Sequence, residues 1–180
     1  WDIYYEHCSY FTPGSLERLF RRAGFEVTRQ WKEFDDQYLM LEARPGTGAE
    51  AASDDDADIE RTRQRVAKFS TDVARKLDGL REAVRTWRRA GKTVVIWGSG
   101  SKSVGYLTTL GLRDEIAAVV DINPHKHGKY QAGSGHQIVG PDALAEIKPD
   151  AVVIMNPIYI EEITADLKRR GLAPEITALG

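Results

Sequence analysis

Four consecutive side chains near the start of the chain could take part in proton transfer. They are Tyr4, Tyr5, Glu6 and His7, and they stand shortly before a predicted helix. Histidine titrates near neutral pH, so His7 could act as a general base, with Glu6 orienting its ring and a tyrosine donating to a developing oxyanion. The alternative is that His7 is only a hydrogen-bonded residue that precedes a helix.

A second candidate site is the segment GSGSKS, which follows the buried strand TVVIW. Unpaired N–H groups at the start of the next helix favour a bound anion. The glycines allow a phosphate to approach the backbone, and the lysine adds positive charge. The sequence therefore predicts a phosphate or nucleotide site, formed by Gly98, Ser99, Gly100, Ser101 and Lys102.

The turn departs from both common nucleotide-binding fingerprints. A dinucleotide motif requires glycine where Ser103 stands, and a P-loop requires glycine where Ile96 and Ser101 stand. One interpretation is therefore that the glycines only form a tight turn between strand and helix. A nicotinamide-dependent oxidoreductase is the least favoured enzyme class, because no catalytic set accompanies the imperfect fingerprint.

Asp121 ends the next predicted strand, near the position that holds a ribose in nucleotide-binding folds. The loop NPHKHGKYQAGSGHQI follows, and its cations include Lys126. This loop could be a basic flap over a phosphorylated ligand, with Asp121 and Lys126 in the substrate site, or a plain surface loop. Its histidines are not interleaved with carboxylates or cysteines, so we assign no metal ligands.

The elements that would position these residues change in character along the chain. From about residue 91, short apolar strands alternate with helices, which predicts an α/β, Rossmann-like domain with a parallel sheet over 91–180. Before it, apolar spacing predicts a long amphipathic helix over 59–90. We expect this helix to pack on a neighbouring domain, although a coiled coil in a homodimer is an alternative.

The segment before the long helix reads as a helix followed by two strands, over residues 1–45. We expect residues 46–58 to form an exposed linker, because the stretch PGTGAEAASDDDAD that begins at Pro45 holds Pro, Gly, Ala and acidic residues and no large apolar side chain.

Composition excludes several function classes. The net charge is −2 over 180 residues, which argues against a nucleic-acid partner. No apolar run approaches the roughly 20 residues of a membrane span. The single cysteine, Cys8, cannot form an internal disulfide, which fits a protein of the reducing cytoplasm. We expect a small-molecule substrate as the partner, and neither nucleic acid nor a membrane.

Two stretches resemble a known family. The stretch YYEHCSYFTPGSLERLFRRAGFEV, followed by a strand hairpin, resembles the end of the catalytic domain of S-adenosylmethionine-dependent methyltransferases. The later stretches VVIWGSGSKSVGYL, VVDINPHKHGKY and KPDAVVIMNPIYIEEI resemble the C-terminal domain of sugar C-methyltransferases. The order of the two matches is that of the family. We therefore expect the C-terminal part of a larger enzyme, with the cofactor-binding strands and a four-cysteine zinc module upstream.

The resemblance implies a mechanism and a set of roles. Family members act on nucleotide-linked keto-deoxysugars: a base removes a proton beside the keto group, and the enolate attacks the sulfonium methyl. By resemblance, His7 is the base and Tyr4 and Glu6 support it, while S-adenosylmethionine is bound by the missing N-terminal part. Family members often carry His-Gly-Gly-Ser between the hairpin strands, where this chain has EFDDQYLML, which leaves C- and O-methylation open. A nucleotide-binding module without catalysis is the alternative from another class.

Overall fold

The computed structural model describes residue 1, residues 7–46 and residues 56–179. These residues divide into two compact units. The N-terminal unit is His7–Val73, and the C-terminal unit comprises Trp1–Glu6 and Ala74–Gly180. Tyr4 and Glu6, two of the predicted catalytic residues, lie outside the described residues.

The N-terminal unit begins with the predicted helix and hairpin. Helix α1 (Pro13–Arg22) starts with a capping box, in which Thr12 and Ser15 each accept from the other's backbone N–H. Strands β1 (Phe25–Glu33) and β2 (Tyr38–Pro45) then pair antiparallel. Both strands are longer than their apolar residues predict, because the ladder of backbone hydrogen bonds continues through polar positions.

The N-terminal unit has little core of its own. None of its described residues is buried. Large apolar side chains are exposed on every element, and they include Phe11, Leu19, Phe25, Tyr38, Met40, Val66 and Phe69. Exposed apolar surface of this extent is typical of a protein surface that another segment covers.

Helix α2 (Asp56–Arg89) is the predicted long helix, and it begins three residues earlier than its apolar stripe indicates. The acidic residues at its start favour this extension through the helix dipole. In the C-terminal unit the stripe packs on the core through Leu77, Leu80, Val84 and Trp87. The prediction that the apolar stripe of this helix packs on a domain is therefore confirmed for the C-terminal half of α2.

The C-terminal unit is built on a five-stranded parallel sheet, in the order β5-β4-β3-β6-β7. This confirms the α/β, Rossmann-like prediction. Its elements, in chain order, are β3 (Val94–Trp97), α3 (Ser101–Leu110), β4 (Ala118–Val120), β5 (Ile138–Val139), α4 (Leu144–Ile147), β6 (Ala151–Ile154), α5 (Ile160–Arg169) and β7 (Glu175–Ala178).

The central strands are buried on both faces, as continuous apolar runs in a parallel sheet require. One face packs on α2 and α3, with Ile96 and Leu107 in its core. The other face packs on α4 and α5, with Trp97 and Ile163 in its core. None of the helices in the described parts combines the length and the apolar character needed to cross a membrane.

Candidate functional site

A pocket of about 560 Å³ opens at the carboxyl ends of β3, β4 and β6. Ligands of open parallel sheets bind at this edge, because the loops there carry free backbone groups and helix N-termini. Five of the predicted site residues line it: Gly98, Gly100, Ser101, Lys102 and Asp121. The other two predicted substrate-binding residues, Ser99 and Lys126, contact Asp121.

The turn after β3 is specified by backbone geometry. Gly98 has a φ of +111°, a conformation that side chains rarely adopt. A Cβ atom at this position would lie 3.2 Å from the Cβ of Met155, at the end of β6. The Gly98 N–H donates to the Val120 carbonyl at 2.8 Å, so the turn is also fastened to β4. Glycine is therefore required here for the fold of the turn as well as for access to the pocket.

Asp121 is a buried carboxylate that joins three segments around the pocket. Its Oδ2 atom accepts from the Ser99 N–H at 3.0 Å, from the Ser99 hydroxyl and from the Lys126 ammonium at 3.1 Å. Its Oδ1 atom accepts from the Asn123 N–H at 2.9 Å. The side chain is 11% exposed. Asp121 thus holds the β3–α3 turn against the loop that follows β4.

The ionisation of Asp121 follows from these contacts. Burial acts to raise its pKa, but the hydrogen bonds from Ser99, Asn123 and Lys126 outweigh burial and lower the pKa to about 2. The carboxylate is therefore fully charged at neutral pH and neutralises Lys126 locally.

Hydrogen bonds tie the loop after β4 to itself and to neighbouring segments. The His127 ring nitrogen Nε2 lies 2.7 Å from the Asp121 carbonyl, and His136 Nε2 lies 2.7 Å from the Arg113 carbonyl. Tyr130 and Gln137 form a backbone bridge that closes the loop. These two histidines therefore act as structural hydrogen-bonding groups. In the described residues no group of three or more His, Cys, Asp or Glu side chains is placed to hold a metal ion.

Sequence reasoning missed the wall of the pocket that β6 and α5 supply. Ile154 of β6 and Ile163 of α5 are buried and form the apolar base of the pocket together with Trp97 of β3, and the more exposed Tyr159, between β6 and α5, lies at the rim. Arg170 lies at the far end, where it pairs with Asp166 and Asp142. The same rule that located Gly98, that residues directly after a parallel strand face the site, would have located the residues after β6.

His7, the predicted catalytic base, lies in the N-terminal unit and is exposed. Its ring meets that of Tyr10 edge-on, with centroids 6.2 Å apart. Since Tyr4 and Glu6 lie outside the described residues, the catalytic role of the three residues stays a prediction.

The chain resembles one protein family over most of its length. Residues 46–172 match the family model described as the C-methyltransferase C-terminal domain. The chain belongs to this family. The match confirms the predicted resemblance for the part of the chain that contains the pocket, and it begins upstream of α2.

One curated relative matches outside the C-terminal unit as well. C-methyltransferase NovU of Streptomyces niveus is 29% identical in an alignment of 171 residues, which covers 89% of this chain and 41% of NovU. The chain thus spans about two fifths of the length of this relative.

Solved structures give weaker similarities. The Rex-family repressor RSP matches with a TM-score of 0.36 at 14% identity, over 50% of this chain and 54% of RSP. RSP in complex with beta-NADH matches with a TM-score of 0.36 at 15% identity, over 52% of this chain and 58% of that chain. Similarities at this level carry no argument about this chain.

Proposed function

We propose that this chain forms the C-terminal part of an S-adenosylmethionine-dependent C-methyltransferase whose substrate is a nucleotide-linked keto-deoxysugar in the cytoplasm. The observation that carries the proposal is the pocket at the carboxyl edge of the sheet, inside a domain of the C-methyltransferase family. Membership of that family supports carbon, rather than oxygen, as the methyl acceptor.

In this proposal the C-terminal unit holds the nucleotide end of the substrate. The N-terminus of α3 presents backbone N–H groups and the positive end of the helix dipole at the turn Gly98–Lys102. Lys102 lies in the same wall and supplies a full positive charge for a diphosphate. The apolar base of the pocket, formed by Trp97 and Ile163, offers a surface for the flat ring of a nucleobase.

The N-terminal unit, in this proposal, is the end of the catalytic domain. Its exposed apolar side chains would be covered by the rest of that domain. When bound, S-adenosylmethionine supplies an electrophilic methyl group for a carbon nucleophile. Among the described residues, no strand–glycine turn–helix unit precedes β3, and we assign the turn between β3 and α3 to the substrate. We therefore assign no residue of this chain to the cofactor.

His7 would remove the proton from the carbon beside the keto group of the sugar. The electrons of that C–H bond would form the enolate, while the proton stays on the His7 ring. The enolate carbon would then bond to the methyl group as the methyl–sulfur bond breaks, and the electron pair of that bond would leave with the sulfur as a neutral thioether. Glu6 would orient the ring and Tyr4 would donate to the enolate oxygen. A homodimer formed through α2 stays a prediction of the sequence.

A binding module without catalysis is the second candidate, and the pocket itself favours it, since a nucleotide could be bound there without any reaction. The two candidates differ in whether the complete gene product that contains this chain transfers a methyl group to a nucleotide-linked keto sugar. Methyl transfer, measured with radiolabelled S-adenosylmethionine, supports the enzyme, and nucleotide binding without transfer supports the module.

The substrate site is tested by Lys102→Ala, with Lys168→Ala as a control. Lys168 is an exposed lysine of α5 that does not line the pocket. We expect Lys102→Ala to weaken binding of thymidine diphosphate by about 1.5–3 kcal/mol and to make binding less dependent on salt, because a charge-assisted hydrogen bond is lost. Calorimetric titration of the complete gene product measures this, and unchanged affinity would remove the turn from the site.

A further inference from the structure

A buried chain of hydrogen bonds connects the loop after β4 with the first turn of α3. The Gln131 side-chain amide donates from Nε2 to the Ser103 hydroxyl oxygen at 2.9 Å. The Ser103 hydroxyl in turn donates to the Gly100 carbonyl at 2.7 Å. Ser103 is 0% exposed and Gln131 is 3% exposed, so water cannot replace either bond without entering the interior.

This chain of bonds fixes the direction of the Ser103 hydroxyl. A hydroxyl has one proton and can turn about its C–O bond. The Gln131 amide occupies a lone pair of the oxygen, so the proton is left for the Gly100 carbonyl. That carbonyl also accepts from the N–H groups of Ser103 at 3.1 Å and Val104 at 3.3 Å, and the hydroxyl bond is the shortest of the three.

The orientation of the Gly100 carbonyl also sets the orientation of the Ser101 N–H group, which belongs to the same peptide plane. In a trans peptide the C=O and N–H of one plane point in opposite directions. The Gly100 carbonyl faces into the helix, so the N–H of Ser101 faces out of its N-terminus. Gly100 and Ser101 both line the pocket, and the first N–H groups of a helix have no partner within it. The Ser103 hydroxyl thus adds to the hold of the helix N–H groups on this peptide plane, at an N-cap that makes no side-chain capping bond.

We propose that Gln131 is a positioning residue, which acts through Ser103 and Gly100 to aim the Ser101 N–H at the phosphates of the substrate. The inference rests on the proposed function, because it deepens the site at Gly98–Lys102. It also explains why serine stands at position 103, where dinucleotide-binding turns have glycine: the hydroxyl receives the bond from the loop.

The test compares Gln131→Leu with Gln137→Leu, the same change at an exposed position of the same loop. Each variant of the complete gene product is titrated with thymidine diphosphate and with inorganic pyrophosphate. We expect Gln131→Leu to lower the affinity for both ligands by the same factor, about tenfold, because one hydrogen bond to a charged group is misdirected. A general loosening of the pocket would weaken thymidine diphosphate more than pyrophosphate, and this result would overturn the proposal.

Ser103→Ala gives an independent measurement, and it keeps the test valid if Gln131→Leu does not fold. Ser103→Ala should lower the affinity for pyrophosphate by a similar factor. The double variant, with Ser103→Ala and Gln131→Leu, should bind pyrophosphate no more weakly than Ser103→Ala alone. The Ser101 amide resonance should shift in Gln131→Leu and not in Gln137→Leu. If the wild type binds and Gln131→Leu binds equally well, the positioning role is overturned and the proposed function stands. If the wild type binds neither ligand, the proposed function fails and the positioning role fails with it.

Discussion

Replacing Asp121 by asparagine should destabilise the C-terminal unit, and by an amount that depends on pH. The carboxylate accepts four hydrogen bonds, from Ser99, Asn123 and Lys126. An asparagine side chain has one oxygen, and its NH₂ group would face donors that it cannot satisfy. Either the Asn123 N–H, or the Ser99 groups together with the Lys126 ammonium, would therefore lose the acceptor.

The lowered pKa of Asp121 sets the expected magnitude. A pKa that falls from 3.8 in the unfolded chain to about 2 in the folded protein corresponds to about 2 kcal/mol of folding stability. Because the folded pKa is the lower one, this stability is fully present above pH 3.8 and is lost as the pH falls through 2. By the same linkage relation, about 1 kcal/mol is left at pH 3.

Urea unfolding followed by circular dichroism at pH 7, 5 and 3 measures the effect. We expect Asp121→Asn to lower the free energy of unfolding by about 2 kcal/mol at pH 7 and pH 5, and by about half as much at pH 3. Asp114→Asn, at an exposed position of the same unit, is the control and should change little at any pH. An equal loss at pH 7 and pH 3, or no loss at all, would refute the assignment of Asp121 as the charged centre of this network.

The remaining predictions concern the turn, the proposed base and a buried tyrosine. Gly98→Ala should lower the free energy of unfolding, measured by thermal unfolding, by about 1–3 kcal/mol, because φ is +111° at this position and the new Cβ would crowd Met155. The control Gly105→Ala, on α3 with no atom near the new Cβ, should be neutral or stabilising in the same assay. His7→Ala in the complete gene product should reduce methyl transfer by about 10²–10⁴-fold with little change in S-adenosylmethionine affinity, and near-normal turnover would return His7 to a structural role. Burial raises the pKa of Tyr106 from 10 to about 12, so its contribution to stability is present below pH 10 and is lost as the pH rises through 12. Between pH 9 and 11 the wild type should therefore lose about 1 kcal/mol more unfolding free energy than Tyr106→Phe, and parallel pH profiles would contradict this.

The sequence by itself determined four of the five strands of the C-terminal sheet, whereas β5 (Ile138–Val139), at the sheet edge, has only two residues and was not predicted. Runs such as Val94–Trp97 and Ala151–Ile154 are apolar at every position, which is typical of strands that are buried on both faces of a parallel sheet. Because helices separate them, the strands had to be parallel, and their carboxyl ends had to share one edge. The pattern of strands and helices therefore predicts that the Gly98–Lys102 turn and Asp121 lie together at that edge.

The tertiary structure decided which polar groups meet and how the pocket is closed. Sequence spacing could not show that His136 reaches the Arg113 carbonyl, or that Gln131 reaches Ser103, because each contact joins a loop to a separate element whose path depends on packing. Likewise, the α5 wall of the pocket depends on the strand order, which places β6 beside β3. The spacing of apolar residues along an element determines which of its faces is buried. Contacts between distant segments depend instead on the free energy of the whole fold, so they are set only when the elements pack together.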